Sequence, residues 1–178
     1  KWEQPPDLST QGFDVMATDP FILADDFRCD MQGPITDIHV YGSWFGDQLP
    51  LGDPNQVIFT LSLHRDIPDP DGTGPEYSRP GEQLWSRTFG PGQFTVRPYA
   101  TDLIEGWLTP PDIYEPFADT VCWRYDFYLN PGEFYQEGTP TNPVTYWLDV
   151  HAQPLDTSAR FGWKTSREHW NDDAVWGT

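Results

Sequence analysis

Residues 21–45, FILADDFRCDMQGPITDIHVYGSWF, decide the fold. Two strand-like runs flank a Gly33-Pro34 turn. In the first, Asp25, Phe27 and Cys29 share one face while Asp26 and Arg28 take the other. In the second, Ile38, Val40 and Trp44 point one way and Asp37, His39, Tyr41 and Ser43 the other. Alternation with a period of two is the mark of a strand with one buried face. The helical spacing of three to four residues is absent here.

The same alternation recurs outward from this stretch. Val57, Phe59, Leu61 and Leu63 alternate with Thr60, Ser62 and His64. Val121, Trp123, Tyr125, Phe127 and Leu129 alternate with Cys122, Arg124, Asp126 and Tyr128. Val144, Tyr146, Leu148 and Val150 alternate with Trp147, Asp149 and His151. Shorter strand-like runs cover residues 84–89, 93–99 and 160–164. Residues 1–18 read as a polar arm with a short strand at 13–15, and residues 100–119 as irregular. A capping box, Thr165-x-x-Glu168, predicts one helical turn over 165–173. Eight or nine short strands with long loops predict an all-β fold, a β-sandwich of jelly-roll type, over a single domain of residues 1–178. An up-and-down barrel is the alternative, with shorter and more even loops.

Composition agrees. The 178 residues include 15 Gly and 19 Pro, the punctuation of many turns, and 11 Phe, 9 Trp and 8 Tyr, which a disordered chain would lack. The formal net charge of −18 argues against nucleic acid and anionic membrane surfaces as partners. It suits calcium, salty water or a neutral ligand. No apolar run approaches the ~20 residues of a membrane span, so no membrane insertion is expected. Lys1 and Lys164 are the only lysines. Cys29 and Cys122 are the only cysteines; without a Cys-x-x-Cys motif they read as two buried thiols or one disulfide. The disulfide is the expectation in an extracellular setting, stabilising by about 4–5 kcal/mol through so long a loop. No signal peptide is seen, and the chain reads as a mature or trimmed form.

Ala24-Asp25-Asp26-Phe27, Ile35-Thr36-Asp37-Ile38 and Gly42-Ser43-Trp44 together resemble an uncharacterised domain of secreted bacterial proteins of planctomycete type. Tyr146-Trp147-Leu148-Asp149-Val150 and the tail from Phe161-Gly162-Trp163-Lys164 to Trp170-Asn171-Asp172-Asp173-Ala174-Val175-Trp176 fit the same pattern. The resemblance implies secretion, a β-sandwich and a further strand beyond Thr178. It implies no activity.

Candidate sites follow from residue chemistry. Asp69, Asp71 and Thr73, followed by Gly74, place oxygens as in a calcium loop, although Pro80 stands where a bidentate Glu belongs. Asp25 and Asp26 are a second calcium candidate. The plainer readings are a solvated acidic hairpin and a buried aspartate accepting backbone N–H groups. Outward rings beside polar groups suit sugar binding: Trp147 with Asp149 and His151, and Tyr41 with His39 and Asp37. Their plainer reading is a second core under packed loops. Asp37 and Asp149 are the best pair for a glycoside-acting enzyme. His39, His64, His151 and His169 lack metal-ligand spacing.

The function expected is a secreted, non-catalytic module that binds a neutral polysaccharide or cell-surface glycan, stapled by Cys29–Cys122 and holding structural calcium. The alternative from a different class is a subunit of an extracellular layer or filament. It would assemble with copies of itself through aromatic faces or strand donation. A glycoside-acting enzyme is the third reading.

Overall fold

The computed structural model describes residues 2–69 and 77–178. In chain order its strands are β1 (Phe13–Met16), β2 (Ile22–Cys29), β3 (Gly33–Pro34), β4 (Asp37–Trp44), β5 (Val57–Ile67), β6 (Arg79–Phe89) and β7 (Thr95–Ala100). They continue with β8 (Glu105–Thr109), β9 (Ile113–Asp119), β10 (Cys122–Tyr128), β11 (Tyr135–Gln136), β12 (Val144–Pro154), β13 (Phe161–Lys164) and β14 (Val175–Gly177). One sheet has seven strands in the order β7-β10-β4-β13-β1-β8-β9, and a second has five in the order β14-β2-β12-β5-β6. Strands β3 and β11 form a small ribbon. The two large sheets pack face to face as a β-sandwich.

The alternating apolar residues become the two inner faces. Phe59 and Leu61 of β5 and Val150 of β12 meet Val40 and Trp44 of β4, Tyr125 and Phe127 of β10 and Phe161 of β13 in one continuous core. Phe59 is its hub, edge-on to Tyr125, Phe127 and Phe161 at centroid distances of 4.9, 5.3 and 5.1 Å. Edge-to-face pairs contribute about 0.5–1.5 kcal/mol each beyond their buried area. Tyr125 accepts a hydrogen bond from Trp44 Nε1 at 3.1 Å and donates to the Pro54 carbonyl at 2.8 Å. Its phenol is therefore buried with its partners intact.

Several expectations are corrected. Residues 100–119 hold two strands, β8 and β9, whose alternation is broken by a register shift between Glu105 and Trp107. The strand expected at 13–15 is present as β1, and it lies inside the seven-stranded sheet, between β13, antiparallel, and β8, parallel. Residues 165–173 form no helix. The Thr165 hydroxyl that would cap one donates instead to the Phe13 carbonyl at 3.0 Å, and Ser166 bridges to Pro6. Cys29 and Cys122 are free thiols, not a disulfide. Cys29 packs with Leu63, Phe134 and Tyr146 on the five-stranded sheet, whereas Cys122 turns to the outer side of the seven-stranded one. The two sulfurs therefore belong to different layers.

Candidate functional site

The outer face of β4, β10 and β7 carries polar groups in register. Tyr41 stands opposite Arg124, and Arg124 opposite Arg97; His39 stands opposite Asp126, and Asp126 opposite Thr95; Asp37 stands opposite Tyr128. Cross-strand neighbours of this kind touch directly. His39 Nε2 lies 2.7 Å from Asp37 Oδ2, and its Nδ1 contacts Asp126 Oδ1. Arg124 Nε donates to that same oxygen at 2.7 Å. Burial acts to raise the Asp126 carboxyl, but Arg124 and His39 outweigh it and hold the group below its usual range. Tyr41 packs edge-on to Tyr99 at 4.8 Å, while Tyr99 and Tyr128 are 43% and 56% exposed. The result is an open face of three tyrosines around a rigid Asp–His–Asp–Arg row.

The Trp147 set is different. Trp147, Asp149 and His151 do share the outer face of the five-stranded sheet, but Trp147 is fully buried. Its indole donates to Asp66 at 2.8 Å. Beside it, the tail crosses β2 and β6: Asn171 donates to Asp26 and Ser78 donates to Asp172. His64 Nε2 lies 3.1 Å from Asp149 Oδ2, and His151 lies 3.2 Å from Asp19. Around Trp147 this face is a polar second core. Asp37 and Asp149 lie on the outer faces of different sheets, so they cannot flank one glycosidic bond. Asp25 and Asp26 leave opposite faces of β2 by alternation. Burial raises both to about 6, with the charge of Asp26 adding to the shift of Asp25. Of the acidic loop, Asp69 is exposed, and Asp71 and Thr73 lie outside the described residues.

A third constellation escaped the sequence reading. β1 sets Asp14 directly opposite Lys164 of β13, and the β8–β9 pairing sets Glu105 opposite Asp119. All four side chains are buried. Lys164 Nζ donates to Asp14 Oδ2 at 2.7 Å and also contacts Glu105 Oε2, which accepts from Ser43 Oγ at 3.1 Å. Asp14 Oδ1, Glu105 Oε1 and both Asp119 oxygens accept no hydrogen bond from an N–H or hydroxyl donor. Burial, against the pull of Lys164, pushes Asp14 up to about 7. Burial, the charge of Asp14, and the hydrogen bond and charge of Glu105 push Asp119 up to about 10. Burial acts to lower Lys164, but Asp14 and Glu105 overcome it and the ammonium is held above its usual value. Burial also pushes the neighbouring Cys122 thiol up. Asp14, Glu105 and Asp119 each bring an oxygen within 4.8 Å of the others, a spacing that one cation could span. The sole signal in the sequence was Lys164 itself, one of two lysines in an acidic chain, inside a strand-like Phe-Gly-Trp-Lys run.

No curated protein and no solved structure matches this chain. A family model described as "Domain of unknown function (DUF7901)" matches residues 1–178, and the chain belongs to that family.

Proposed function

We propose that the protein is an extracellular, non-catalytic module that binds a neutral polysaccharide on the β4–β10–β7 face. The observation that supports this is the open row of Tyr41, Tyr99 and Tyr128 around Asp37, His39, Asp126 and Arg124. Ring faces meet sugar C–H surfaces, and locked carboxylate and guanidinium groups bond hydroxyls without first having to be ordered. Arg97 and Arg124 stand among Asp37 and Asp126 on this face, although the chain as a whole carries a net charge of −18. The extracellular setting and the planctomycete-type origin rest on the resemblance of the Ala24–Phe27 and Tyr146–Val150 stretches to secreted bacterial domains. Affinity electrophoresis against soluble β-glucan, galactomannan, xyloglucan and pullulan, with alginate as an anionic comparison, tests the reading. At least one neutral polymer is expected to retard the protein. Tyr128→Ala and Tyr99→Ala should each weaken that binding about tenfold, roughly 1.4 kcal/mol, while Trp176→Ala, at the far edge of the other sheet, leaves it unchanged. Retardation by alginate alone, or by nothing, rejects it.

A second reading has its own observation. β9 is the edge of the seven-stranded sheet and carries exposed Ile113 and Phe117, with exposed Ile104 just before β8. An unpaired edge with apolar side chains is where another copy could add a strand, as a layer or filament subunit would require.

A further inference from the structure

The buried group around Lys164 calls for an explanation beyond ion pairing. One ammonium and three carboxyl groups share a buried site, and four of the carboxyl oxygens accept no hydrogen bond from an N–H or hydroxyl donor. Buried charges with incomplete pairing are expensive, and an ion pair alone would not offset that expense. Asp14 and Lys164 sit on adjacent strands, directly opposite, with Nζ already 2.7 Å from Asp14 Oδ2. The side chains of Asp14, Glu105 and Lys164 have no exposed surface. Trp107 packs beside Asp14 over Gly162: a methyl carbon added at Gly162 would meet both Asp14 Cβ and the Trp107 ring at 2.7 Å.

We infer that Lys164 Nζ and Asp14 Cγ are joined in the folded chain by an intramolecular isopeptide bond, formed with Glu105 as the proton carrier. The ammonium first passes one proton to the Asp14 carboxylate, leaving an amine and a carboxylic acid. The amine attacks Cγ, and Glu105 takes a second proton from the nitrogen. Glu105 returns that proton to the departing Asp14 hydroxyl, which leaves as water. One C–N bond forms, one C–O bond breaks, and no oxidant or reductant is needed. The product is a neutral amide in place of two buried charges, and the exclusion of solvent opposes hydrolysis. Asp119, paired with Glu105 across β8 and β9, is a positioning residue that keeps the proton inside the group. Holding Nζ 2.7 Å from Asp14 Oδ2 keeps the amine beside the carboxyl group and supplies the proximity that such a condensation lacks in solution.

Intact-mass spectrometry of the reduced, denatured wild-type chain decides the matter. The expected mass is that of the sequence less one water. Trypsin should fail to cut after Lys164, and one branched peptide should carry both Asp14 and Lys164. Lys164→Arg and Asp14→Ala should restore the full mass. Glu105→Gln, which leaves both partners in place, should restore it too, with folding of each variant followed by far-ultraviolet circular dichroism. Rescue of bond formation by Glu105→Asp would separate proton transfer from packing. A wild-type chain of full mass after prolonged incubation in the folded state overturns the inference without any variant. So does a water loss that persists in Lys164→Arg, which would place the dehydration elsewhere. A full-mass chain whose melting temperature rises with added calcium would assign the group to a cation instead, and equally overturns the bond.

Discussion

Asp26 is fully buried, with one oxygen held by Asn171 and the other unpartnered. Burial, opposed by the Asn171 amide and reinforced by the charge of Asp66, lifts it to about 6. A folded-state value above the unfolded one means that the native protein keeps a proton that the unfolded chain has released. Its contribution is therefore most favourable below about pH 4 and is lost as pH rises to about 6. Asp26→Asn mimics the protonated form and keeps an acceptor for Asn171. Urea unfolding should show it more stable than wild type by roughly 1–2 kcal/mol at pH 8 and equal to it near pH 4. Burial of an aspartate behind the alternation was open as a reading of the sequence. The cover that buries it comes from residues 171–172, which no local pattern ties to β2.

At the scale of elements, the long alternating strands were legible, even where β5–β6 and β10–β7 carry register shifts, and the short pair β8–β9 was not. Val57, Phe59, Leu61 and Leu63 lie inward as their spacing predicts. β8 and β9 were hidden because the shift near Glu105 and the Pro110-Pro111 turn interrupt the period. Phe117 is part of that interruption, with φ of 54° and 80% of its surface exposed. The buried Lys164 group was hidden for a related reason: it is assembled by pairings among β1, β13, β8 and β9, and the spacing of its members along the chain carries no trace of them. Gly162 links these strands to the packing above them. Gly162→Ala would drive its methyl into Asp14 and Trp107, so thermal unfolding should show a loss of about 1–3 kcal/mol. Gly177→Ala, with open space around it, is the matched control and should be near neutral.

For the molecule as a whole, the disposition of its surfaces separates the functional readings. One outer face is open and tyrosine-rich, the other is covered by the tail at Asp26 and Ser78, and an apolar edge lies at β9. Light scattering at rising protein concentration should find a monomer if the open face serves a polysaccharide. Growth into larger particles that Ile113→Lys prevents would favour the subunit reading. The pairing of β1 has a further consequence during synthesis. β1 leaves the ribosome before the other described strands, yet its two neighbours are β8 and β13, and the last of these ends at Lys164. The seven-stranded sheet cannot close until the chain through Lys164 has emerged. Folding must then be dominated by contacts distant in sequence, which is slow, and nascent chains that stop short of β13 should stay open to proteases however much of the core they already contain.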